Sequence, residues 1–363
     1  MLRLVYLFVL IFSCVTTNAQ VGEALPVATA ESRGYSAQFL KNIGNEAAKE
    51  VPDLGAFLVW KHDALIYEGY FHGTDRSSVF NIKSASKSIL SAIAGAAQMR
   101  GLLPDVNATI LSILPEYTKP DRHAAGVWFA EDVAEDDSIA RTLTLRHLLT
   151  MQTGWEWNDF GPICQAFIYS SDPVRFALDL EYAETPGTRF NYCTAGTHVF
   201  AVALAKLIHT DLKRFADSTI FTPAGITLRR WNTDAMSRYI GGCDMFLTPQ
   251  DMMRFGLLYL KKGKLNGRQI LSESWIKESL AKHAELKYWD VLPGANGYGY
   301  YWWRRISNGH QVYVASGVCG QLICIIPDVD MVITTASGCT ERGGRSEIKK
   351  LHLLMDKIIV AAK

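Results

Sequence analysis

Ser84-Ala85-Ser86-Lys87 heads an alanine-rich run that continues to Met99 and is stopped by Gly101. That run reads as a helix, and on a helix residues three apart share a face, so the Ser84 hydroxyl and the Lys87 amine are neighbours. A lysine is poorly placed at this end. A helix N-terminus carries about half a positive charge and favours an acid by roughly 0.3–1 kcal/mol, and the usual capping pattern wants Glu or Gln at this position. The same field, helped by burial, is expected to lower the pKa of Lys87 and make its amine a proton acceptor for the serine. Backbone amides at the helix start are suited to stabilise an oxyanion. A four-residue S-x-x-K match is common by chance, and a cap serine beside a solvent-seeking lysine reads the same way, so downstream partners decide the matter.

Two stretches supply them. Thr185-Pro186-Gly187-Thr188-Arg189-Phe190-Asn191-Tyr192-Cys193-Thr194 is a proline-glycine turn that delivers a tyrosine, and Ala315-Ser316-Gly317-Val318 lies on a late strand able to approach the serine helix. Further landmarks follow in order. They are Leu145-Arg146-His147-Leu148-Leu149-Thr150-Met151-Gln152-Thr153-Gly154-Trp155, then Gly241-Gly242-Cys243 leading to Thr248-Pro249-Gln250-Asp251, and Gly297-Tyr298-Gly299-Tyr300. With these the chain resembles the serine β-lactamase and penicillin-binding-protein (D-alanyl-D-alanine peptidase) superfamily, specifically the class C-like serine hydrolases that include esterases and 6-aminohexanoate-dimer hydrolases. The resemblance covers most of the chain.

The resemblance implies Ser84 as nucleophile, Lys87 as its proton partner and Tyr192 as the group that shuttles protons to and from the leaving group. It implies an oxyanion hole from the amides of Ser84 and Val318, and substrate contacts from Thr194, Ala315, Ser316 and Gly317. A tyrosine with an ordinary pKa near 10 is a poor base unless its surroundings lower that value. Two departures matter. The family's Tyr-x-Asn is here Tyr192-Cys193-Thr194, and its Lys-Thr-Gly or His-Thr-Gly is Ala315-Ser316-Gly317. Ala315 cannot make the charge-assisted contact to a substrate carboxylate, worth about 1.5–3 kcal/mol, that a cation provides. Weak or absent β-lactamase and carboxypeptidase activity is expected, with an esterase or amidase preferred. The competing readings are a binding or sensor protein on the same scaffold and a peptidoglycan-directed peptidase.

Outward from these motifs, the chain opens with a helix from Ala37 to Val51 capped by Ser36, then strands Gly55–Trp60 and Ala64–Phe71. Helices and long loops fill about 105–290, including Leu143–Met151, Thr197–Ile208 and Pro249–Leu260. Strands return at Gly299–Arg305, Val312–Ser316, Leu322–Ile326 and Met331–Ala336, and a helix from Ser346 to Ala361 closes the chain. The expected fold is α+β, of the β-lactamase/transpeptidase type: an antiparallel sheet built from both ends (about 30–104 and 290–363), flanked by helices, with a mainly helical lobe (about 105–289) inserted. Tyr298, Tyr300 and Trp302 alternate as one strand face; they, Trp155 and Trp157 suit either an acyl pocket, with Trp155 as its substrate contact, or the core.

The 363 residues are 48% hydrophobic with a net charge of +1, from 37 Lys and Arg against 36 acids. That supports a large core and supplies no basic field for nucleic acid. Residues 1–19, with Arg3, an apolar run from Leu4 to Phe12 and small residues before Gln20, read as a signal peptide, and the rest (20–363) as one hydrolase domain. A periplasmic or secreted protein is expected, with a lipid on Cys14 the lesser alternative. No integral membrane segment is expected after cleavage, and the partner is a small-molecule or peptide-like acyl substrate. Cys164, Cys193, Cys243, Cys319, Cys324 and Cys339 remain; their spacing fits no zinc site and pairs none of them. No metal or organic cofactor is called for. His147 is expected to be structural, and no G-x-S-x-G elbow occurs.

Overall fold

Leu54–Lys61 is apolar almost throughout and buried at every position, which a strand attains when layers cover both of its faces. The computed structural model describes residues 24–118, 138–286, 292–339 and 344–362. The leader read at 1–19, with Cys14, lies outside the described residues.

Ser36 caps α1 (Ala37–Glu50) by accepting from the Phe39 amide. The hairpin β1 (Leu54–Lys61) and β2 (Ala64–Tyr70) follows, then β3 (Phe80–Asn81) and the helix of the S-x-x-K motif, α2 (Ser86–Gln98). Next come α3 (Ile110–Ile113), α4 (Leu145–Leu149), α5 (Pro162–Ile168), α6 (Pro173–Leu178), α7 (Thr194–Ile208), α8 (Leu212–Ala216) and α9 (Thr222–Ala224). Strands β4 (Arg230–Trp231) and β5 (Met245–Leu247) precede α10 (Pro249–Leu260), the ribbon β6 (Lys264–Leu265) and β7 (Arg268–Gln269), and α11 (Glu273–Leu280). The chain ends with β8 (Ala295–Tyr298), β9 (Trp303–Ser307), β10 (His310–Gly317), β11 (Gln321–Ile326), β12 (Met331–Ser337) and α12 (Arg345–Val360).

The main sheet has seven strands in the order β2-β1-β12-β11-β10-β9-β8, with antiparallel neighbours. The two ends of the chain meet where β1 pairs with β12, Val59 opposite Ile333. Successive residues of β11 show what covers each face. Ile323 lies under Gly256 of α10, whereas the Cys324 thiol meets Met355 of α12. Thus α10, although read with the helical insert, packs on the sheet against β12, β11 and β1. Among the described residues no helix is long and apolar enough to cross a membrane.

One strand differs from its sequence reading. Gly299–Arg305 is not continuous: β8 ends at Tyr298, and Tyr301 adopts a left-handed conformation (φ 62°) before β9 begins at Trp303. The break resets the alternation, so Tyr298, Tyr300 and Trp302 do not share one strand face. All three are buried; Trp302 stacks on Phe255 and packs on Tyr259, and Tyr300 lies against Trp275.

Burial also leaves a titrating group in the core. His352 of α12 is fully buried and neither ring nitrogen has a hydrogen-bond partner, so burial, reinforced by Arg305, holds its pKa well below the ordinary value. The folded state therefore refuses a proton that the unfolded chain accepts below about pH 6.5. This group's contribution is intact above that pH and lost as pH falls from there toward the folded pKa, with a slope approaching about 1.4 kcal/mol per pH unit. Urea titrations between pH 7 and 5 are expected to show this loss in wild type and a flatter profile in His352→Leu; equal slopes would contradict it.

Candidate active site

The serine turn is built by tertiary pairing. Asn81 at the end of β3 pairs with Phe246 of β5; its side chain accepts from the Lys83 amide at 2.9 Å and donates to Asp244 at 2.6 Å. Lys83 is held left-handed at φ 50°, a conformation costing a non-glycine residue about 1–3 kcal/mol and common where a side chain must be aimed. Ser84 follows inside a 3-10 turn, Lys83–Ala85, and α2 proper begins only at Ser86. The turn lets Lys87 fold back on the serine.

Lys87 is 1% exposed. Its Nζ donates to Ser84 Oγ at 3.0 Å, to Thr194 Oγ1 at 3.1 Å and to the Gly242 carbonyl at 2.7 Å. Three acceptors for three protons is the complement of an ammonium. The lowered lysine pKa expected from the sequence is therefore corrected. Burial does push it down, but Tyr192 and Cys243, whenever they ionise, and the Asp159 carboxylate act the other way, and the net direction is upward. Helix field and burial act locally, whereas the opposing charges come from segments distant in the sequence.

Tyr192 is buried beside Ser84 and Lys87, and both act on its hydroxyl. Burial raises its pKa and Lys87 lowers it, leaving the net above the usual phenol value, so the resting pair is an ammonium beside a neutral phenol. The ring is clamped. Lys87 Nζ lies 5.0 Å from its centroid, and Trp303 stacks on it at 5.4 Å and 24°. The sequence reading did not name Trp303, because it ran one strand through Tyr301, where the chain in fact breaks.

The late strand does reach the serine turn. A Cβ on Gly317 would lie 2.4 Å from the Ile82 carbonyl and 3.0 Å from Lys83 Cβ, so only glycine permits this approach. The next residues along the two segments are Val318 and Ser84. Val318 lies in the turn from β10 to β11, which a Cys319–Cys339 disulfide ties to the segment after β12. The sequence left that pairing open.

Gly241 and Gly242 play a similar part. A Cβ on Gly241 would be 2.2 Å from the Thr197 carbonyl, and one on Gly242 2.6 Å from Thr194. Glycine lets this loop lie on the start of α7 and present a carbonyl to Lys87.

Of the sequence-named substrate contacts, Ala315 is buried, Ser316 is half-buried and both lie on β10 before Gly317. Thr194 turns its hydroxyl inward, donating to Asp159 Oδ2 at 2.7 Å while accepting from Lys87. Trp155 is 1% exposed and packs on Tyr182, which places it in the core. His147 completes the capping box of α4 with Thr144, a structural role. Cys193 caps α7 through the Gly196 amide. Among the described residues, no group of three or more His, Cys, Asp or Glu is placed to hold a metal ion.

A family model described as Beta-lactamase matches residues 47–351. The chain belongs to the beta-lactamase family. Its fold is shared by solved structures of low identity. The Bacillus anthracis protein described as a 6-aminohexanoate-dimer hydrolase is 20% identical, with TM-score 0.70, over 95% of this chain and 88% of that one. A Bacteroides dorei protein described as a beta-lactamase is 19% identical with TM-score 0.71, covering 90% and 98%. The beta-lactamase/D-alanine carboxypeptidase from Yersinia pestis is 16% identical with TM-score 0.66, covering 89% and 98%. The beta-lactamase fold thus accounts for the sheet that carries Gly317 and for the helix that carries Lys87.

Proposed function

We propose that this beta-lactamase-family protein is an exported serine hydrolase that cleaves an ester or amide through an acyl-enzyme on Ser84. The observation that carries the reading is the meeting of three groups from two separate segments: Lys87 Nζ is 3.0 Å from Ser84 Oγ and 5.0 Å from the centre of the Tyr192 ring. Ser84 attacks the acyl carbon and passes its proton to the Lys87–Tyr192 pair in its singly deprotonated form. The amides of Ser84 and Val318 receive the oxyanion. Tyr192 returns the proton to the leaving alcohol or amine, and water, deprotonated by the same pair, cleaves the acyl-enzyme. The mechanism uses no metal or organic cofactor.

Ala315 sets the substrate preference. With a methyl group where a cation is expected, β10 offers no charge to a substrate carboxylate, so uncharged acyl groups are favoured over β-lactams and peptide C-termini. Incubation with a fluorophosphonate followed by peptide mass spectrometry is expected to find one adduct, on Ser84. Nitrocefin turnover should run at least about 100-fold below that of p-nitrophenyl acetate, the worth of one lost charge-assisted hydrogen bond at the upper end of its range. Lack of an adduct would reduce the protein to a binding scaffold, and rapid nitrocefin hydrolysis would overturn the preference.

A further inference from the structure

Asp159 belongs to none of the motifs that point to the site. It lies in the loop between Trp157 and α5, yet its Oδ1 accepts from the Thr194 amide at 2.7 Å, the first residue of α7, and from Trp157 Nε1 at 2.7 Å. Its Oδ2 accepts from the Thr194 hydroxyl, also at 2.7 Å. That bond consumes the only proton of the Thr194 hydroxyl, so toward Lys87, 3.1 Å away, this oxygen acts as an acceptor. The carboxylate thereby determines the polarity of a two-bond relay that ends on the Lys87 nitrogen.

We propose that Asp159 is a positioning residue for the hydrolytic centre: through Thr194 it fixes the orientation of Lys87 and sets a carboxylate beside the Lys87–Tyr192 pair. This inference rests on the reading of Ser84, Lys87 and Tyr192 as the reacting groups. The groups that face Lys87 are Ser84 from the serine turn, Tyr192, Cys193 and Thr194 from the α7 entrance, Asp159 from its loop, Gly242 and Cys243 from the loop before β5, and Cys164 from α5. Asp244 and Lys83 act on the same corner through Cys243. The thiols are neutral there, since burial pushes Cys243 up to about 12, Cys164 up to about 11 and Cys193 higher still. Tyr192 is likewise a neutral phenol. Asp159 is the carboxylate that acts on both members of the pair, raising Lys87 and Tyr192 alike.

Because both members of the pair move the same way, the sign of the test does not depend on which gives up the proton. Asp159→Asn removes the charge and keeps one of the two oxygens that accept from Thr194. The rising limb of fluorophosphonate inactivation against pH should move to lower pH by about one unit, the effect of one nearby charge. KM for a p-nitrophenyl ester should be nearly unchanged. An unmoved limb would make Asp159 only a cap for α7, and a raised KM with unchanged kcat would make it a substrate contact; either result overturns the proposal. Should that variant not fold, Thr194→Val and Thr194→Ser decide instead. Val is expected to lower kcat about 10- to 100-fold, the worth of a hydrogen bond to a charged group, and Ser to restore it. Equal rates for the two would refute the relay. If wild type itself gives no adduct on Ser84, the reading of the centre fails; if wild type is labelled and the limb stays put, only the role of Asp159 fails.

Discussion

Ser84→Ala is expected to lower turnover of p-nitrophenyl esters by roughly 10³ or more and to abolish fluorophosphonate labelling, because the oxygen that would carry the acyl group is gone. The buried thiols Cys193 and Cys243 are too basic to replace it. Stability should change little, by about 1 kcal/mol, since the hydroxyl is half-buried and its loss removes one of the three acceptors of Lys87. Kinetics with active-site titration, alongside a thermal melt, separate the two effects. A variant that kept even a tenth of wild-type turnover would place the chemistry elsewhere.

The second large effect is expected from Lys87→Met, which keeps an unbranched side chain one atom shorter and removes its charge. It should lower kcat by about 10²–10⁴, the usual contribution of a positioned proton-transfer group. Its pH signature is opposite to that of Asp159→Asn. Lys87 pulls the Tyr192 pKa down against the effect of burial, so without it the phenol titrates higher and residual activity needs a more alkaline solution. The variant also leaves Thr194 Oγ1 and the Gly242 carbonyl without their donor, a cost of about 1–3 kcal/mol for each orphaned group in a buried site. A melt therefore should show clear destabilisation, unlike Ser84→Ala. A Lys87→Met protein with wild-type kcat and an unshifted rising limb would remove lysine from the mechanism.

The two predictions depend on groups that differ in how visible they are in the amino-acid order. Ser84 and Lys87 are three residues apart, so their proximity follows from helical geometry alone, and even the 3-10 turn before α2 did not disturb it. Tyr192 and Gly317 were legible through short turn and strand motifs, whose glycines and prolines constrain the backbone locally. Trp303 was not, because a single left-handed residue, Tyr301, broke the strand and changed which ring faces Tyr192. Gly242 contributes a carbonyl, which every residue possesses and which no side-chain pattern announces. The Cys319–Cys339 bridge joins a hairpin turn to the end of another strand and needed the sheet order to be seen.

The antiparallel sheet assembled from both ends of the chain and the serine-lysine pair were determined by the sequence alone, since hydrophobic period, turn chemistry and helical spacing are local properties, whereas the tyrosine beside them was implied by the resemblance to a family. The charge state of that centre was decided only by the tertiary structure. Local reasoning counted the helix field and burial and arrived at a deprotonated lysine. Folding adds a carboxylate from the loop before α5 and a carbonyl from the loop before β5, and electrostatic energy depends on distance through space, not along the chain.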